Sequence, residues 1–377
     1  MTRKGKQMQM SFGSMEMDAR IRRDSALLKA HALIDWEGLR SQLVGLYKRE
    51  ASRAGGQEPI DPLVMFKAVL LGQWHNLSDP KLEEALRVRI DFMYFCGLSL
   101  TDDVPDETTL CRFRNRLITA GRLDGLLAGV NTQLQDHGLM VKRAHGAVID
   151  ATLVQSAARP KRDMIIELDT KGAPKVNEDG SIPGKATSKL ISCTETQSVD
   201  PDATWVKKGK KSHFGYRSYV SVDSGDGYIR GVHTAPANES ETMHLQKAVA
   251  VCDFKPSRVY ADKGYASASN RSGLRARRIK SAIMHRAYKN KPLTARQIKV
   301  NKLIGKTRYI VEQSFGTAKR LFAMGRSRYL GTHKVNAQFM LKAMCMNLLK
   351  AANKITLNAE TSTRPAGTAG EVRPVTA

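Results

Sequence analysis

The constraint that bears hardest on this chain is a change of hydrophobic period at Gly138. Before it, apolar residues recur at helical spacing. The run L-V-M-F-K-A-V-L-L-G-Q-W (63–74) is apolar on nearly every face and reads as a buried helix; Leu82, Ala85, Leu86 and Ile90 follow in steps that suit a second, and Gly97 stands where it would stop. Asp61-Pro62 and Asp79-Pro80 each set a capping acid ahead of a helix-compatible proline. After Gly138 the apolar runs are short, β-branched or alternating. A-V-I-D-A-T-L-V (147–154), F-G-Y-R-S-Y-V-S-V-D (214–223), G-Y-I-R-G-V-H-T (227–234), S-R-V-Y-A-D (257–262) and I-K-S-A-I-M (279–284) read as five strands, the second and third joined by a Ser224-Gly225-Asp226-Gly227 hairpin turn. Helices are expected over 239–252, between the last two strands, and over 300–323 and 333–353.

The expected organisation is a polar leader over 1–58 with one docking helix near Ile34–Tyr47, an all-α unit over 59–139, a mixed unit over 140–353 and a disordered tail over 354–377. With 377 residues, two domains are expected, each burying its own core. Within the mixed unit, residues 159–211 are rich in Lys, Gly, Pro and Asp and lack periodicity, which predicts a flexible insert. It closes on Lys207, Lys208, Lys210 and Lys211.

Charge narrows the partners. Lys and Arg number 61 against 36 Asp and Glu, a formal charge of +25, so a polyanion is the natural ligand. No apolar run approaches the roughly 20 residues of a spanning helix, and the first 25 residues lack the apolar stretch of a secretory signal. A cytoplasmic protein without a membrane partner is expected. Five scattered cysteines (Cys96, Cys111, Cys193, Cys252, Cys345), with no C-x-x-C pair, argue against both a disulfide framework and a zinc site.

In V-P-D-E-T-T-L-C-R-F-R-N-R-L (104–117), Leu110, Phe113 and Leu117 share one helical face, while Thr108, Arg112, Asn115 and Arg116 fall on the other. That polar face suits a phosphate backbone, and equally suits plain solvent. Two strands carry an aspartate at their expected ends, Asp150 and Asp262, where α/β sites form. Each by itself is more simply the cap of a turn. Glu312 lies in T-R-Y-I-V-E-Q-S-F-G-T-A-K-R with Arg308 four residues before it and Lys319 seven after, all on one face; an ion pair with Arg308 is the plain alternative. Carboxylates beside a polyanion's path repel it unless cations intervene. Two divalent ions about 4 Å apart, clamped by those acids, would resolve the conflict. The histidines (His145, His213, His233, His244, His285 among them) are isolated, so no softer metal is indicated.

Asp150 in I-D-A-T-L-V, Asp262 in A-D-K-G-Y and Glu312 in R-x-x-x-E-x-x-x-x-x-x-K together resemble the catalytic triad of bacterial insertion-sequence transposases of the DDE type, in particular the IS-five group. The resemblance spans about residues 59–350, and W-V-K-K-G-K-K-S-H-F-G-Y-R and T-A-P-A-N-E-S also match the group. It implies a multidomain α+β/α/β chain: an N-terminal all-α DNA-binding domain, then an RNase H-like mixed five-stranded sheet flanked by helices. Asp150 would lie on the first strand, Asp262 just after the fourth and Glu312 on a helix against the sheet. The resemblance also implies that these acids are catalytic and bind Mg2+, with Mn2+ as a substitute. The implied reaction is cleavage at transposon ends, then transfer of the 3′-hydroxyl to target DNA without a covalent enzyme intermediate. The partners implied are double-stranded DNA (inverted-repeat ends and target) and at least a second copy of the chain, acting at the nucleoid. Arg308, Lys319 and Lys263 would hold phosphates. One departure is Gly305, where the group often has Tyr. Two alternatives stay open: an idle DNA-binding descendant, and a nuclease on the same fold.

Overall fold

The computed structural model describes residues 20–21, 24–47, 59–141, 145–158 and 198–355. Most of the expected insert, Cys193, the tail from 356 and the first 19 residues lie outside them, and the expectations placed there lie outside with them. The other four cysteines are free thiols.

The helical part starts inside the expected leader. Helix α1 (Ala26–Leu33), capped by Ser25, buries Leu27, Leu28, Ala30 and Leu33, and a 3-10 helix (Glu37–Leu43) follows. That 3-10 helix lies within 34–47, where a docking helix was expected, and α1 precedes it, drawing its stability from packing rather than from its own weak pattern. Helix α2 (Pro62–Trp74) is buried from Leu63 through Gln73; Asp61 caps it, accepting from Leu63 N at 2.7 Å. Asp79 does not cap. It opens α3 (Asp79–Val88) and its carboxylate takes both Arg114 amino groups at 2.7 and 2.8 Å. The single expected helix breaks at Arg89, whose extended backbone separates α3 from α4 (Ile90–Cys96); Gly97 ends α4 in the left-handed region. Helices α5 (Glu107–Thr119) and α6 (Leu123–Asp136) complete this part.

The sheet has six strands, one more than expected. Strand β1 (Gly146–Gln155) pairs antiparallel with β3 (Lys211–Asp223), and β3 pairs antiparallel with both β2 (Thr204–Lys208) and β4 (Ile229–Pro236). Residues 204–211, placed by composition in the flexible insert, are instead a hairpin: Lys208 faces Lys211 across Gly209, which has φ +61°. After helix α7 (Glu241–Ala250), strand β5 (Arg258–Ala261) runs parallel to β1; helix α8 (Ala268–Ala276) then leads to β6 (Lys280–Ile283), parallel to β5. Helix α9 (Ala295–Arg320) begins with a capping box of Thr294 and Gln297 and packs on β1, β3 and β5. This is the mixed, helix-flanked sheet of an RNase H-like core.

The last helix, α10 (Thr332–Ala352), joins the two parts. Every residue from Ala337 through Leu348 is buried, against α1, α2 and α6 on one side and β4 on the other. Consequently one apolar cluster runs from Leu27, Phe66, Leu110 and Leu126 through α10 to Val148, Val220 and Val232 of the sheet, where two separate cores were expected. A smaller cluster (Ile149, Tyr219, Leu245, Val259, Leu274) fills the opposite sheet face beneath α7. The chain extends past the helix to Ile355, which is buried within the stretch expected as tail. Among the described residues no helix is long and apolar enough to cross a membrane.

A buried carboxylate stands just ahead of β2. Asp200 is fully buried and accepts from Ser156 Oγ, Tyr216 OH and, at 3.0 Å, Gly331 N. It ties the end of β1, the middle of β3 and the start of α10 at one point.

The Arg114–Asp79 pair is bidentate and largely out of water, and its guanidinium also lies 4.5 Å from the Tyr329 ring centroid. Removing the arginine leaves an uncompensated charge. We expect Arg114→Ala to cost about 3 kcal/mol, read as a lowered urea midpoint at unchanged slope, whereas Arg112→Ala, on the exposed face of the same helix, leaves the midpoint in place.

Candidate active site

Strand register brings the two aspartates together. The β1–β5 ladder ends at Ile149 opposite Ala261, so Asp150 and Asp262 are the next residue on each strand. The expectation that both acids end strands holds only for Asp262. β1 continues to Gln155 because β3 still pairs with it there, and Asp150 lies mid-strand opposite Val220. Its carboxylate is exposed to the site only because β5 has stopped beside it.

A single guanidinium spans both acids. Arg308 of α9 donates from Nη2 to Asp150 Oδ2 at 2.6 Å and from Nη1 to Asp262 Oδ1 at 3.4 Å. All three side chains are largely withdrawn from solvent. Burial pushes the Asp150 carboxyl above the usual carboxylate range, working against Arg308 and the Ala151 N–H, which favour the charged form, while the nearby Asp262 charge adds to the upward push. Arg308 therefore does not pair with Glu312, one turn further along α9. Glu312 is exposed, and α9 presents it beside the aspartates' arginine rather than against the aspartates.

The two acids on Arg308 offer carboxylate oxygens, the ligand type that a hard divalent cation takes, while the Met284 sulfur lies 3.6 Å from Nη1. Among the described residues no group of three or more His, Cys, Asp or Glu side chains stands together as a metal cluster. Asp150 and Asp262 fit such an ion in chemistry and adjacency, with their charge offset by Arg308; Glu312 fits in kind and stands apart.

Two further residues border the site, and neither was singled out in the sequence. Glu241, in the first turn of α7, pairs with Arg217 of β3 at 3.2 Å. Burial raises its pKa, Arg217 opposes the rise, and the charges of Asp150 and Asp262 add to it. Its carboxylate also leans on the turn after Asp262, where a Cβ on Gly264 would come within 2.3 Å of Glu241 Oε2. Gly264 thus serves close approach; Tyr265 beside it is buried and packs in the smaller core. The signal was T-A-P-A-N-E-S, which runs directly into Glu241. An acid in a first helical turn also serves the helix dipole, which hides any other role.

The basic residues form two groups. Lys263, Lys319 and the hairpin's Lys207, Lys208, Lys210 and Lys211 are exposed. Burial, then the Lys208 charge, lowers the Lys319 pKa, which puts that hairpin lysine close to α9. Arg112 and Arg116 are exposed on α5, which packs on α2, α3 and α10; Arg116 also lies over the Tyr47 ring at 5.5 Å. The hairpin belongs to the sheet with the acids, and α5 to the helical part.

Comparison with known proteins agrees with this layout. Residues 147–348 match the family model described as Transposase DDE domain, and residues 15–116 match that described as Transposase domain (DUF772). The transposase for insertion sequence element IS1106 of Neisseria meningitidis serogroup B is 42% identical over 245 residues, 65% of this chain and 78% of that relative. No solved structure matches.

The contact between Glu241 and the Asp262 turn makes a coupling measurable. Gly264→Ala should displace Glu241, and truncating Glu241 should remove the clash. The urea-midpoint loss of Gly264→Ala combined with Glu241→Ala is expected to fall short of the sum of the single losses by about 1 kcal/mol; strict additivity would mean the two do not touch.

Proposed function

The chain belongs to the DDE transposases of insertion sequences, and from that premise we propose that it binds the inverted-repeat ends of its element, cuts phosphodiester bonds there and transfers the 3′-hydroxyl ends to target DNA. The observation that carries this reading is the register that sets Asp150 beside Asp262 under one guanidinium, in a chain of charge +25. Two acids side by side on a strongly basic protein cost binding energy toward DNA unless they serve its chemistry.

In this proposal Asp150, Asp262 and Glu312 hold divalent metal, Mg2+ with Mn2+ able to substitute. A bound divalent ion supplies Lewis acidity and neutralises charge that develops on the phosphoryl oxygens. The chain's own residues do the rest. Asp150 and Asp262 are placed by paired strands, so their separation is set by backbone hydrogen bonds and not by rotamers. Arg308 is close enough to both to hold a phosphate against them, and Lys263 and Lys319 extend positive charge to either side along the DNA. The hairpin lysines Lys207, Lys208, Lys210 and Lys211 continue that path, and Arg112 and Arg116 on α5 offer a second contact for end recognition. Joining two ends requires two active sites, hence at least a dimer on DNA, working at the nucleoid in the cytoplasm.

Asp150→Asn, Asp262→Asn and Glu312→Gln are each expected to lower cleavage of end-bearing DNA by a factor of 100 or more, on the order of what charged groups at the reacting centre contribute, while DNA binding persists. A variant that cuts at the unaltered rate removes its residue from the site. Replacing Arg112 and Arg116 by Ala should reduce the slope of log affinity against log salt by about 0.9 per lost phosphate contact; an unchanged slope would leave that face merely solvated.

A further inference from the structure

We propose that Trp205 is a stacking platform for an unpaired DNA base at a cleaved end, carried on the lysine-rich β2–β3 hairpin beside the acids. The proposal rests on the DNA reading above and goes beyond it, because no function given so far calls for an aromatic ring at this place.

The chain has three tryptophans. Trp36 is buried against Phe95 and Trp74 is half-buried against the main core. Trp205 alone among them is open, 54% exposed on the sheet's edge strand. An edge strand studded with lysine is a common defence against pairing with another chain, and that explains Lys207, Lys208, Lys210 and Lys211. It does not explain an indole among them, which leaves more than half of its surface in water.

The indole is open yet held. Its cross-strand partner is Phe214, with ring centroids 5.4 Å apart and planes tilted by 54°. The hairpin turns tightly at Gly209, so the lysines that follow Trp205 in sequence lie beside it in space. Positive side chains that track a backbone, together with a fixed aromatic ring that takes a base, are the combination by which proteins bind single strands.

Duplex DNA offers only base edges to a protein, because the faces are stacked inside. An indole gains a partner face only where a base is unstacked. Cutting one strand at an end produces such a place, since nucleotides left without a partner strand are free to leave the stack and present a face. The hairpin is positioned to meet it: its second strand, β3, carries Phe214 opposite Trp205 and, three residues on, Arg217, which pairs at 3.2 Å with Glu241 at the border of the aspartates.

The test uses the full-length chain at low salt with two random-sequence duplexes, one blunt and one with a three-nucleotide unpaired overhang carrying 2-aminopurine. The unaltered chain should bind the overhang duplex more tightly and quench the 2-aminopurine. Trp205→Ala should weaken overhang binding about tenfold, abolish the quenching and leave blunt binding within a factor of two, while Trp205→Phe keeps most of both. Loss of equal size on both duplexes, or no loss on either, overturns the stacking site and leaves the DNA reading standing. Failure of the unaltered chain to bind either duplex overturns the DNA reading, and the stacking site with it. Trp205→Ala that unfolds at a lower urea concentration, with Trp205→Phe restoring stability but not quenching, would show the indole to be packing only.

Discussion

A helix that is buried on every side must be covered on every side, and α10 imposes that demand on the whole chain. From Ala337 to Leu348 no residue reaches solvent. The sheet can cover one side; the other needs α1, α2 and α6. Two buried polar groups on this helix, Asn347 and Lys342, have partners that hold it in place. Asn347 donates to Asn131 of α6 and to the Ile229 carbonyl of β4, and accepts from Ile229 N, while Lys342 reaches Asn76 and the Phe322 carbonyl. A turn or slide of α10 would leave those groups unpaired in the dark, which costs more than any one of the bonds contributes. The helical part and the catalytic sheet are therefore one body mechanically, though they differ in composition and period.

At the site the governing quantity is charge density. Two carboxylates on adjacent strands repel each other, and burial makes that repulsion stronger. Arg308 answers it with one cation placed across both, though burial still leaves the Asp150 carboxyl above its usual range. The same arginine lies within a turn of Glu312. Motion of one side chain on α9 thus alters the electrostatics of all three acids, while the strands that carry two of them stay still.

Much of this was legible because periodicity is a local property. The five core strands, the Gly97 stop, the Asp61 cap and the burial of Leu110, Phe113 and Leu117 followed from residues within a few positions of each other. The two aspartates could be named from motif, but not placed: that Asp150 is mid-strand depends on β3 outrunning β5, a fact of pairing between distant segments. Asp79 shows the same limit. Its local setting said cap, and a residue 35 positions away, Arg114, claimed it instead. Strand β2 was hidden by composition, since W-V-K-K-G-K-K reads as a polar loop unless the partner Phe214 is known to lie opposite Trp205. Arg217 ends one stretch that matched the group and Glu241 directly follows another, yet neither could be assigned a role, because each is ordinary in its element and unusual only in what lies across from it.

Asp200 has a consequence for how this protein comes apart. One buried carboxylate holds Ser156 just after β1, Tyr216 of β3 and Gly331 just before α10. None of the three can loosen alone without stranding polar groups away from water, which costs more than a single bond contributes. The carboxylate acts as a rivet, so that stretches of chain far apart in sequence give way together or not at all.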